Sequence, residues 1–165
     1  IAPAAVRCNA LLGGRSRPLC HLRPLSRRYW ASSRCFPYSA QPSGAQLSAT
    51  GTTNPDTLVF SSTSQPAAST SIFLQSSALR PSHALLGDGI LCLDAPLLRL
   101  YVNSAPSGTA LAPEPGDPSI TQSSAALGDP IAPGSVRYYQ VWYRDTADFC
   151  STSTYNLSNG LRVVW

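Results

Sequence analysis

The chain has no Met, no Lys, a single Glu and only two His, and 12% of its residues are charged, against about 25% in an average soluble domain. Glu and Lys usually clothe the outward faces of exposed helices, so their scarcity argues against a helical protein. The surface must instead be built from Ser, Thr, Gly, Pro and amides, which fits a β-rich protein of extracellular or cell-surface location. Also missing is any apolar run near the roughly 20 residues that a membrane-crossing helix needs. The longest, Leu97 to Val102, is interrupted by Arg99, so no transmembrane segment is expected. A chain that starts at Ile1 without Met reads as a fragment or a processed product, and the lack of a signal peptide then says nothing about export. Against these absences stand 15 Pro, 11 Gly and 43% hydrophobic residues in a length of 165, enough for one core and too few for two.

The net charge of +4 conceals two unlike parts. Residues 1–43 hold seven Arg and no acid, giving +7, while residues 44–165 hold five Arg against all eight acids, giving −3. The expected division is therefore an Arg-rich irregular tail or linker over 1–43 and a folded domain over 44–165. A mildly acidic domain disfavours nucleic acid as its partner, because tracking phosphates requires a basic face. The tail is broken by Pro18, Pro24 and Pro37 and shows no sustained apolar period. It reads as a linker or an altered junction. An import-like presequence and an arginine arm with Tyr29 and Trp30 for stacking are the alternatives.

From Gly44 onward, short β-type runs alternate with turn residues at the spacing of a sandwich or barrel. The expected strands are Ala45–Thr50, Thr57–Ser61, Ser71–Ser76, Ile90–Leu93, Leu97–Val102, Ser119–Gln122, Val136–Arg144 and Leu161–Trp165. In the strongest, Tyr139, Val141 and Tyr143 share one face while Val136, Tyr138, Gln140 and Trp142 share the other. With both faces substantial, Val136–Arg144 is expected at the centre of a sheet. The Pro-rich stretch Asn103–Pro118 reads as a surface excursion. The predicted fold class is an all-β antiparallel β-sandwich with an irregular basic amino-terminal tail.

The groups needed for catalysis are not assembled in the sequence. His83 has Ser82 beside it and Asp88 nearby, but no G-x-S-x-G elbow accompanies them, and a surface-turn histidine is the simpler reading. Asp145 and Asp148 could form a carboxylate pair of the glycosidase kind, yet they read better as turn residues beside Arg144. Asp88 in GDG and Asp117 in PGDP are single acids in turns, short of the several oxygens that Ca²⁺ requires. No C-x-x-C pair exists for zinc, and Cys20-His21 would be adjacent ligands. No cofactor, metal or catalytic residue is therefore assigned. Asn156 opens an N-L-S glycosylation triplet that also reads as the turn before the last strand.

The stretch GAQLSATG, then DTLVF, IFLQ, LLGDGILC, LLRL, GSVRYYQVWYRDTADFC and YNLSNGLRVVW resembles an all-β module found in large secreted or surface bacterial proteins. The resemblance covers residues 44–165 and rests on GDG-x-x-C, YQVWYRD-x-x-x-FC and NLSNG occurring together at matching spacing. It implies an exported, surface or filamentous protein and no catalytic activity. The sequence departs from the pattern at Thr146, where Pro is usual, and in residues 1–43, which replace a Cys-rich and Gly-rich lead. Within the matched region Cys92 and Cys150 each fall at the edge of an expected strand and are the candidate disulfide, two separately buried thiols being the alternative. The loop they would close holds about 57 residues, and such a bridge contributes on the order of 4 kcal/mol. It would persist only in an oxidising compartment. Cys8, Cys20 and Cys35 cannot be paired from the sequence.

Aromatic residues concentrate near the carboxyl end, and Tyr138, Trp142 and Tyr155 are the candidate contact surface, core filling being the alternative. Arg137 and Arg144 with Asp145 are expected to form cross-strand ion pairs. Together these features point to a non-enzymatic structural or adhesive module whose partners are copies of itself or other surface proteins. A carbohydrate-binding accessory module, with polysaccharide as partner, is the first alternative, and a hydrolase is the second.

Overall fold

A computed structural model of the chain describes residues 4–6, 44–146 and 152–165. In chain order the elements are β1 (Ala4–Val6), β2 (Gln46–Thr50), β3 (Val59–Thr63), β4 (Ser69–Ser76), β5 (Leu79–Leu86), β6 (Gly89–Leu93), β7 (Leu98–Ala105), β8 (Ala110–Ala112), the helix α1 (Ile120–Ala126), β9 (Val136–Arg144), β10 (Tyr155–Leu157) and β11 (Gly160–Val164). Among the described residues the architecture is all-β, with antiparallel sheets and one short helix. The larger sheet runs β1-β11-β9-β4-β7 with β10 also on β9, the smaller runs β2-β3-β8, and β5–β6 is a separate hairpin.

The alternation read in β9 sets the layering. Tyr139, Val141 and Tyr143 join Phe73, Tyr101, Leu161 and Val163 on one face of the larger sheet, and Leu47, Phe60, Ala110 and Ala112 of the smaller sheet meet them in the main core. Phe60 stands between the two sheets, its ring 4.6 Å from that of Tyr139 and 6.3 Å from that of Phe73. Each such aromatic buried from water stabilises the fold by about 1.5–3 kcal/mol. On the opposite face Leu74 and Leu157 pack with Leu91 and Leu93 of the hairpin, flanked by Ile72, Tyr138 and Trp142. The strand expected at a sheet centre is there, with β4 on one side and β10 and β11 on the other.

Several boundaries differ from those the sequence suggested. Ser119–Gln122 is not a strand: Ser119 is the N-cap of α1, its hydroxyl accepting from the Gln122 backbone while the Gln122 side chain accepts from the Ser119 N–H. That reciprocal arrangement is the S-x-x-Q capping box, and it outweighs the β preference of Ile120 and Thr121. Within the Pro-rich excursion Ala110–Ala112 forms β8 on β3, burying Ala110 and Ala112 completely. His83 lies in β5 rather than in a turn, in a hairpin whose register shifts between Leu79 and Ala84. Tyr155–Leu157 is strand rather than turn. In the tail, Ala4–Val6 is not irregular but pairs with β11 at Ala4↔Arg162, Ala5↔Leu161 and Val6↔Gly160. Among the described residues no helix is long and apolar enough to cross a membrane.

Candidate functional site

The three motifs, far apart in sequence, converge on the hairpin face of the larger sheet. LLGDG makes the β5–β6 turn, where Leu86 pairs with Gly89 and Gly87 takes a φ of 64° at the first central position, the position at which a type II′ turn calls for glycine. The turn rests on β10: the Asp88 N–H donates to the Tyr155 carbonyl, and a methyl group on Gly89 would come within 2.6 Å of Asn156 Oδ1. The GDG glycine and the NLSNG asparagine therefore require each other's shape.

Gln140 locks the hairpin down from below. It is fully buried in β9 and faces the free side of β6. Its Oε1 accepts from the Cys92 N–H at 3.0 Å, while its Nε2 donates to the Ile90 carbonyl at 2.8 Å and to the Ser158 carbonyl at 2.7 Å. One side chain thus bonds the backbone of an edge that has no other strand beside it among the described residues, and a buried amide must find such partners to avoid an uncompensated desolvation cost. Ser158 lies between β10 and β11, which both pair with β9, and its Oγ accepts from the Val141 N–H at 2.9 Å. Asn159 then reaches the other sheet, accepting from the Leu47 N–H at 2.7 Å and donating to the Leu47 carbonyl at 3.1 Å. NLSNG is in this way a clamp between the sheets as well as the start of the last strand.

The candidate contact residues lie on the same face. Trp142 and Tyr155 are brought together with ring centroids 5.4 Å apart, and Tyr138 sits further along β9, opposite Ser76. All three are half-buried, and Tyr138 and Trp142 pack against the hairpin cluster. Leu85 of β5 is 81% exposed. Asn156 is only 4% exposed, so the folded domain does not present it as a glycosylation acceptor.

Arg137 does not pair across strands with Asp145. Its guanidinium grips Asp129 instead, at 2.8 and 3.0 Å, and the Gln75 amide donates to the same carboxylate at 2.9 Å. Asp145 is buried at the end of β9 with its N–H on the Thr154 carbonyl, and Arg144 is exposed. Asp117 closes the PGDP turn by accepting from the Glu114 N–H. Next to Asp129 lies a cleft of about 300 Å³ bounded by Ser76, Ser77, Leu98 and Leu127. Among the described residues it holds one carboxylate, whose two oxygens are already bonded to Arg137 and Gln75. Burial pushes the Tyr101 hydroxyl up to about 12, partly opposed by the hydrogen bond from Ser123, and burial raises Tyr139 as well. Both are core tyrosines with hydrogen-bonded hydroxyls: Tyr101 donates to the Pro118 carbonyl and Tyr139 accepts from Trp165.

The sulfur of Cys92 is held in a disulfide. Cys150, its expected partner, lies outside the described residues, as do Asp148, Cys8, Cys20 and Cys35. The residues that the sequence reading missed are Gln140, Ser158 and Asn159. The available signal was a lone amide on an otherwise apolar and aromatic face of β9. Compared with protein-family models, with curated proteins and with solved structures, the chain matches none.

Proposed function

We propose that this chain is a non-enzymatic structural or adhesive module of an exported or cell-surface protein, associating with copies of itself or with other surface proteins. One observation carries the reading: three polar side chains of its most distinctive motifs are bonded to backbone across the fold. Gln140, Ser158 and Asn159 join the hairpin, the central strand and the second sheet, so the motif residues act as fasteners. Supporting it are the resemblance over residues 44–165, the low charge of the surface, and a Cys92–Cys150 disulfide as the proposed pairing. A carbohydrate-binding role is the second reading, favoured by the Trp142–Tyr155 ring pair.

The test is a set of surface-binding measurements on immobilised full chain. Binding of soluble chain or of other surface proteins, unaffected by Trp142→Ala, supports the proposal. Glycan-array binding that Trp142→Ala abolishes would shift the assignment to carbohydrate. Hydrolysis of ester, glycoside or peptide substrates that disappears in His83→Ala would overturn it.

A further inference from the structure

We propose that β1 is exchanged between copies of this chain, Ala4–Val6 of one copy adding to the outer edge of β11 in the next. The partner is thus a second copy, and the inference rests on the self-association contained in the proposed function.

The edge itself is the first argument. β11 is bonded on its inner side to β9 through Leu161↔Tyr139 to Val164↔Val136, and β1 is the described strand on its outer side. Without an added strand that side presents unpaired N–H and C=O groups, a template for any extended segment. Among the described residues β1 covers Gly160, Leu161 and Arg162. Pairing of this kind is made by backbone, and a β1 from another copy satisfies it as well as the chain's own.

The covalent path is the second argument. β1 ends at Val6 and β2 begins at Gln46, in the other sheet. A stretch covering residues 7–45 can span up to roughly 130 Å when extended, well beyond the width of a domain this size, so no tight turn obliges β1 to fold back onto its own β11. Charge gives the third. The seven Arg of residues 1–43 face a domain of net charge −3 in residues 44–165, and a neighbour's acidic domain attracts the tail as its own does. Reciprocal exchange closes a two-fold dimer, and one-way donation propagates into rings or filaments.

The experiment compares the full chain with the double variant Ala4→Pro and Ala5→Pro, free thiols alkylated, by sedimentation velocity over a rising concentration series. Neighbouring residues in a strand point their N–H groups to opposite sides, so replacing both removes at least one ladder donor whichever way β1 lies. The full chain should shift to faster-sedimenting species with concentration, and the double variant, with an unchanged circular dichroism spectrum, should stay monomeric. A labelled peptide of residues 1–7 should bind the variant more tightly than the native chain and should dissolve the native oligomer. That last measurement decides the matter if the variant does not fold, since oligomers that excess peptide leaves intact overturn the exchange. Association of the variant equal to that of the full chain overturns strand exchange but leaves self-association standing. A monomer at every concentration for both overturns exchange and self-association together, while a structural or adhesive role toward other proteins is still judged by the surface-binding measurements.

Discussion

Replacing Gln140 with Leu removes three hydrogen bonds to backbone, and a weaker one to Cys92 Sγ at 3.6 Å, at almost constant volume, which makes it a direct probe of the fastening described above. The bonds to the Cys92 N–H, the Ile90 carbonyl and the Ser158 carbonyl are 3.0, 2.8 and 2.7 Å long and buried. Leaving such groups unpaired costs about 1–3 kcal/mol each, and some will recover a partner or water, so a total loss of about 3–5 kcal/mol is expected. A shape-conserving swap adds little cavity cost of its own. Against the roughly 5–15 kcal/mol that holds an ordinary domain, the variant would be marginal. Urea denaturation followed by tryptophan fluorescence reads the change, since Trp142 lies on the same face as the hairpin. Hydrogen exchange should locate the loss at Gly89–Leu93. Arg144→Gln, exposed on the same strand, is the control and should stay within about 0.5 kcal/mol of the native chain. A loss below about 1 kcal/mol in Gln140→Leu would refute the claim that this side chain holds the hairpin to the sheet.

Three further outcomes are expected. Asn159→Ala removes both bonds to Leu47 and should cost about 2 kcal/mol, with faster hydrogen exchange concentrated in Gln46–Thr50; an unchanged β2 would contradict the clamp. Gly89→Ala places a methyl 2.6 Å from Asn156 Oδ1 and 2.7 Å from the Leu157 nitrogen, and should lower stability by about 1–3 kcal/mol without any demand from φ, read as a lower urea midpoint. At alkaline pH, Tyr101 keeps its proton in the fold up to about 12 against an ordinary value of 10.0, while the unfolded chain loses it earlier. The stabilisation is therefore complete below pH 10 and declines as pH rises toward 12, so urea midpoints should fall on crossing pH 10 and a flat profile would show the hydroxyl to be solvated.

Legibility in the sequence followed the strength of the local signal. Val136–Arg144 was readable to the residue, because nine alternating positions with large side chains on both faces fit only a central strand. β8 escaped because three residues between prolines give no period, and its buried positions are alanines, small enough to lie under the facing sheet. β5 escaped because Pro81 breaks the pattern, which the irregular register of the hairpin tolerates. Ser119–Gln122 read as strand because Ile120 and Thr121 are β-branched, whereas the capping box of Ser119 and Gln122 makes it the start of α1. The motif residues stood out as unusual, yet their task was not readable. That Asn159 bonds Leu47 and Gln140 bonds Cys92 depends on contacts 112 and 48 residues apart, which no local pattern encodes.

Residence in an oxidising compartment is the claim on which the reading as an exported module stands most directly, and non-reducing peptide mapping of the full chain exported to such a compartment tests it. The account predicts one cross-linked species joining the peptides of Cys92 and Cys150, separating into two on reduction. Alkylation of both cysteines without prior reduction would contradict the pairing, and with it the case for an exported module.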